Sequence, residues 1–140
     1  MGDFAWNSRK LIRIFFESQA SFRLHRSSKK EIHIGAETVS AKLVDLSAAG
    51  CGMESSVFVP SGARLNIFLD RNLILPGAQK TKKRHFSKII GVVQSSRQLP
   101  KRKYRLGILF EKISSEDRKL IDDFVTQNER RADPRITFPQ

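Results

Sequence analysis

Tyr104, Leu106, Ile108 and Phe110 take every second position of residues 103–111, and residues 85–96 form a second strand-like run centred on Gly91-Val92-Val93. Side chains two apart share one face of a pleated strand, whereas on a helix they diverge, so this spacing demands a sheet with one face buried. Between the two runs stands Gln98-Leu99-Pro100-Lys101-Arg102, which has the turn chemistry of a hairpin. The same texture recurs upstream. Glu31-Ile32-His33-Ile34 alternates before Gly35, and Val39, Ala41 and Leu43 alternate within residues 37–44. Cys51, Met53 and Val57-Phe58-Val59 lead to Pro60, and the stretch from Arg64 to Asp70 alternates after the Ser61-Gly62 turn signal. Six short strands result, punctuated by turns. Antiparallel strands of this kind rid themselves of exposed edges most economically by closing into a small barrel.

The period changes at both ends. After Ile113, Ser114-Ser115-Glu116-Asp117 has capping-box spacing, and Leu120, Ile121, Phe124 and Val125 form the stripe of a helix ending near Asn128. At the other end, apolar residues at 11, 12, 15, 16 and 22, with Asn7 or Ser8 as cap, predict a short N-terminal helix over residues 6–22 packed on the sheet. Residues 71–84 are less regular: Leu73-Ile74-Leu75 extends a strand or packs as a loop, Pro76-Gly77 turns, and Lys80-Thr81-Lys82-Lys83-Arg84 reads as a solvated basic loop. The expected division is a helical extension over 1–22, a barrel with its closing helix over 23–128, and a basic tail over 129–140.

A chain of 140 residues suffices for one core without staples. The single cysteine, Cys51, excludes an internal disulfide, and its apolar neighbours mark it as a small buried hydrophobe. No apolar run reaches the roughly 18 residues of a membrane span and no signal-peptide pattern opens the chain, so a cytoplasmic protein is expected. The net charge of +12 calls for an anionic partner. Catalysis is not expected. His25, His33 and His85 have no metal-ligand spacing with one another or with Cys51, and no phosphate-cradling glycine loop or nucleophile elbow is present.

One turn carries concentrated binding chemistry: Asp45-Leu46-Ser47-Ala48-Ala49-Gly50 offers a carboxylate, a hydroxyl and a glycine between two strands. Together with Gly91-Val92-Val93, Tyr104-Arg105-Leu106-Gly107-Ile108-Leu109-Phe110 and the Ser114 cap, in this order over residues 20–128, it resembles the PilZ domain, the bacterial module that binds cyclic di-GMP. The resemblance implies a six-stranded antiparallel barrel with a C-terminal helix, no catalysis, no cofactor or metal, and cyclic di-GMP as ligand at Asp45, Ser47 and Gly50. It also implies an Arg-x-x-x-Arg loop just before the first strand. Gln19 to Arg26 departs from that pattern, with Arg23 and Arg26 wrongly spaced, whereas Arg130, Arg131 and Arg135 near the C-terminus match it.

Arginine suits such a ligand because its fork binds phosphate bidentately, docks on guanine O6 and N7, and stacks on the base. The C-terminal loop has three readings: completion of the chain's own site or a neighbour's in a homodimer, a lead into a further domain, or a basic tail. A receptor signalling to a downstream protein is the first functional reading. A PilZ-like adaptor that does not bind nucleotide is the second, and a nucleic-acid binder using Lys80 to Arg84 and Lys101 to Arg105 the third.

Overall fold

A computed structural model describes residues 13–26, 38–75 and 86–131. Six antiparallel strands close a barrel in the order β1-β2-β3-β6-β5-β4. They are β1 (Ile14–Leu24), β2 (Val39–Leu46), β3 (Gly50–Ser55), β4 (Arg64–Asp70), β5 (Phe86–Leu99) and β6 (Lys103–Lys112). A single helical turn, α1 (Arg71–Ile74), follows β4, and a longer helix, α2 (Ser115–Arg131), follows β6.

Alternation sorts the strands as expected. Leu106, Ile108 and Phe110 of β6 are buried, as are Leu65, Ile67 and Leu69 of β4, and they meet Phe22, Leu43, Met53, Ile89 and Val93 in one core. The α2 stripe adds Ile121 and Val125, both fully buried. Its N-terminus is capped by Ser114, whose Oγ accepts from the Asp117 amide at 3.0 Å. Arg71 of α1 donates to Asp117 Oδ1 from Nε at 2.9 Å and from Nη2 at 2.7 Å, which pins the first turn of α2 beside β4.

The N-terminal helix expected over residues 6–22 is replaced, where the structure describes it, by β1. Its inward positions are 14, 16, 18, 20, 22 and 24, but two of them are Ser18 and Ala20, so the apolar alternation lapses mid-strand. The stripe at 11, 12, 15 and 16 imitated a helix across that gap. β1 therefore runs through the boundary expected at 22/23. Leu73 and Ile74 form α1 rather than a strand, and β3 stops at Ser55. α2 runs past Asn128 to Arg131, because Glu129, Arg130 and Arg131 are good helix formers and the first breaker is Pro134. The strand expected at Glu31–Ile34, the run Lys80–Arg84 and Arg135 lie outside the described residues.

Candidate functional site

The site grows from a bulge in β2. Leu43 pairs with Met53 of β3, but two residues later Asp45 pairs with the very next partner, Gly52. The extra residue, Val44, lets Leu43 and Leu46 both enter the core while Asp45 turns to the outer face of the sheet. There Gly52 is essential to it: a Cβ on Gly52 would strike the Asp45 carboxylate. The Asp45 carboxylate is therefore laid down against a bare strand and is 2 % exposed although it lies outside the core.

Two guanidinium groups address it. Arg105 of β6 donates from Nη2 to Asp45 Oδ2 at 2.6 Å, a short charge-assisted bond. Arg13, just ahead of β1, has its Nε 3.6 Å from Asp45 Oδ1, close enough for attraction but too far for a hydrogen bond. Oδ1 thus has no hydrogen-bond partner, although a buried carboxylate oxygen normally has one. It is an acceptor in waiting.

Ser47 and Gly50 hold the turn beside it. The Ser47 Oγ accepts from the amides of Ala49 and Gly50, each at 3.2 Å, and the Ser47 amide donates to the Gly50 carbonyl at 2.9 Å. Phe110 donates its amide to the Ala49 carbonyl at 2.8 Å, sewing the turn to β6. The resemblance implies Gly50 as part of the ligand site. In the fold the place of its missing Cβ faces the Ile108 carbonyl, so Gly50 lets two strands approach.

Around these residues a cavity of about 820 Å³ opens on the outer face of β2, β3, β6 and β5. Arg13, Arg97 and Arg105 line it with Gln94, Ser95 and Leu109, the last of which is 48 % exposed and supplies an apolar floor. Three guanidiniums against one carboxylate make it a site for an anion with polar edges and an apolar face. Among the described residues no group of three or more His, Cys, Asp or Glu is placed to hold a metal. No described helix is long and apolar enough to cross a membrane.

Of the residues singled out in the sequence, Asp45, Ser47 and Gly50 meet here. Arg23 does not line the cavity. It donates from Nη2 to Thr38 Oγ1 at 3.2 Å and lies over the Phe68 ring at 5.9 Å, roughly 30 Å along β1 from Arg13. Arg26 is exposed past the end of β1, and Arg131 ends α2. Sequence reasoning placed none of Arg13, Arg97 and Arg105 at this site, and named Arg105 only in the resemblance and in the nucleic-acid reading. Arg105 was legible: it falls between the inward positions Tyr104 and Leu106 and so must face outward.

Cys51 backs the site from the core side. Burial pushes its thiol above the ordinary value of about 8.5, and the Asp45 charge pushes the same way. The folded state therefore keeps a proton that the unfolded chain gives up, so this group's contribution to stability is complete below about pH 8.5 and shrinks above it. A disulfide reagent such as Ellman's is expected to leave Cys51 unmodified at pH 8 in the native protein and to titrate one thiol after unfolding in urea. Rapid modification of the folded protein would mean that the barrel opens at this end.

A family model described as PilZ domain matches residues 17–127. Among solved structures, the chain is similar to MotI/DgrA, an inhibitor of motility from Bacillus subtilis, with TM-score 0.67 and 13 % identity over 89 % of this chain and 53 % of that one. It is similar to the PilZ domain of YcgR from Escherichia coli, solved with c-di-GMP, with TM-score 0.54 and 17 % identity over 89 % of this chain and 97 % of that one. It is also similar to the K. pneumonia MrkH–c-di-GMP complex, with TM-score 0.54 and 13 % identity over 91 % and 55 %. The chain spans about half the length of the MotI/DgrA and MrkH chains. At these identities the likeness is one of fold. No curated protein matches the sequence.

Proposed function

This chain belongs to the PilZ domain family, and on that premise we propose that it is a non-catalytic receptor for cyclic di-GMP. The observation that carries the reading is Asp45, which lines a cavity walled by arginines and whose buried Oδ1 has no hydrogen-bond partner. Guanine presents N–H donors on the edge that a carboxylate reads, and the phosphates of a cyclic dinucleotide are what guanidinium forks bind. In this reading Oδ1 accepts from one guanine while Arg105 holds the other oxygen of the same carboxylate. Ser47 and Gly50 act by shaping the turn. Two solved proteins of similar fold, the YcgR PilZ domain and MrkH, are complexes with c-di-GMP, which agrees with the proposal.

The position of β1 reopens the question of the arginine loop. The family's Arg-x-x-x-Arg loop stands immediately before the first strand, and the first strand here begins at Ile14. Arg9-Lys10-Leu11-Ile12-Arg13 therefore occupies the expected place with the expected spacing. We assign the loop to Arg9 and Arg13, with Arg13 already drawn toward Asp45. The matching spacing of Arg131 and Arg135 is left as the competing assignment.

Isothermal titration of cyclic di-GMP into the whole chain at physiological salt is expected to give a saturable heat, with GMP at the same concentration giving none. Silence with both nucleotides would remove the receptor reading in favour of a protein-contact adaptor. Heat that collapses with added salt and recurs with any oligonucleotide would favour a nucleic-acid binder instead.

A further inference from the structure

β5 is longer than the strand it pairs with on one side. It pairs with β4 over Phe86 to Val92 and with β6 over Ile90 to Leu99. The turn before β4 extends the contact a little: Gly62 and Ala63 bond to Val93, and Ser61 Oγ reaches the Gln94 carbonyl at 3.4 Å. From Ser95 to Leu99, no described residue pairs with the edge of β5 that faces away from β6. Every second N–H and C=O along it points outward, which is the template that another extended chain recognises.

The charge of this region has one sign. Between Phe86 and Phe110 there is no Asp or Glu. Arg105 is occupied by Asp45, but Arg97, Lys101, Arg102 and Lys103 are exposed and have no carboxylate partner among the described residues. At the hairpin tip Lys101 and Arg102 hold φ of 64° and 58°, the left-handed conformation that glycine or asparagine takes more readily. The tip thus keeps two cations where the backbone would favour neutral residues.

We infer that the edge of β5 from Ser95 to Leu99, unpaired among the described residues, docks an extended acidic segment of a partner protein, which adds to the sheet as a further strand. Edge carbonyls need N–H donors, and a peptide has them while a phosphodiester backbone does not. The outward positions Arg97, Leu99, Lys103 and Arg105 also include no aromatic residue for base stacking. Gln94, Ser95 and Arg97 line the Asp45 cavity as well, so the docked segment runs on from its rim. The inference does not depend on the identity of the small ligand.

The test uses the whole chain without nucleotide and two labelled probes: a short acetylated peptide of alternating glutamate and valine, and the same peptide N-methylated on every amide, which strips the donors from both of its edges. The first is expected to bind and to slow hydrogen exchange at the outward amides of Ser95 to Leu99, and the second to bind neither tightly nor protectively. A doubly reversed variant, R97E with K101E, is expected to weaken the first probe about tenfold while leaving the thermal midpoint unchanged. Equal binding of both peptides, or tighter binding of an oligodeoxythymidylate, would overturn strand addition. So would slow exchange of those outward amides in the free protein, because the edge would then already be covered.

Discussion

Replacing Gly50 with alanine is expected to destabilise the barrel by about 3 kcal/mol, at the upper end of what overpacking costs, because the added methyl meets a backbone carbonyl instead of a side chain that could rotate away. That carbonyl belongs to Ile108, in the middle of β6, where the strand is paired on both sides, with β3 and with β5. Relief would require β3 and β6 to separate at the point where Phe110 and Ala49 tie the Asp45 turn to the sheet. Gly52→Ala makes the informative comparison. Its methyl would meet the Asp45 carboxylate, which can swing aside by giving up Arg105. Urea unfolding of the two variants is expected to show a large loss for Gly50→Ala and a smaller one for Gly52→Ala, while cyclic di-GMP binding is lost in Gly52→Ala even where the protein is fully folded. If Gly50→Ala unfolds at the same urea concentration as the parent but no longer binds, the glycine serves the ligand and not the strand contact.

The second large effect is on binding alone. Arg13 is more than half exposed, and its Nε stands 3.6 Å from Asp45, so in the free protein it contributes little to stability. A ligand phosphate would give the same guanidinium a charge-assisted bond. Arg13→Ala is therefore expected to leave the thermal midpoint within about a degree of the parent and to weaken cyclic di-GMP about a hundredfold. Arg9→Ala is expected to behave alike. A chain ending at Asn128, which removes Arg130, Arg131 and Arg135, is expected to retain most of the affinity. The reverse pattern, with affinity lost on truncation and kept in Arg13→Ala, would give the loop to the C-terminal arginines.

Arg13 was hidden by a misread period rather than by an unusual residue. A helix over residues 6–22 puts the first strand after Arg23 and the arginine pair just ahead of that strand, whereas β1 begins at Ile14. Ser18 and Ala20 caused the error. They occupy inward positions of β1 with little apolar area, so a pattern argument that weighs hydrophobicity cannot see them as core. Phe16 points to what sits nearby: its ring meets Phe124 of α2 edge-on at 5.7 Å, so part of the β1 inner face is covered by the helix. Strands whose core positions are all large, such as β4 and β6, are legible from alternation alone.

What the sequence determined by itself was the set of local periods and turns: the five strands β2 to β6, a capped C-terminal helix, and the Asp45 turn as the place where polar groups gather. Those follow from side-chain spacing and from backbone preferences, which act over a few residues and survive in any context. Tertiary structure alone decided the rest. The outward aim of Asp45 depends on a one-residue bulge against β3. Its burial depends on the absence of a Cβ at Gly52, and its two cations come from positions 13 and 105, which the pairing of β1 with β2 and of β6 with β3 brings beside it. A site built from long-range pairings is illegible to a reading of neighbours along the chain, because its geometry is set by the register of strands that have not yet met.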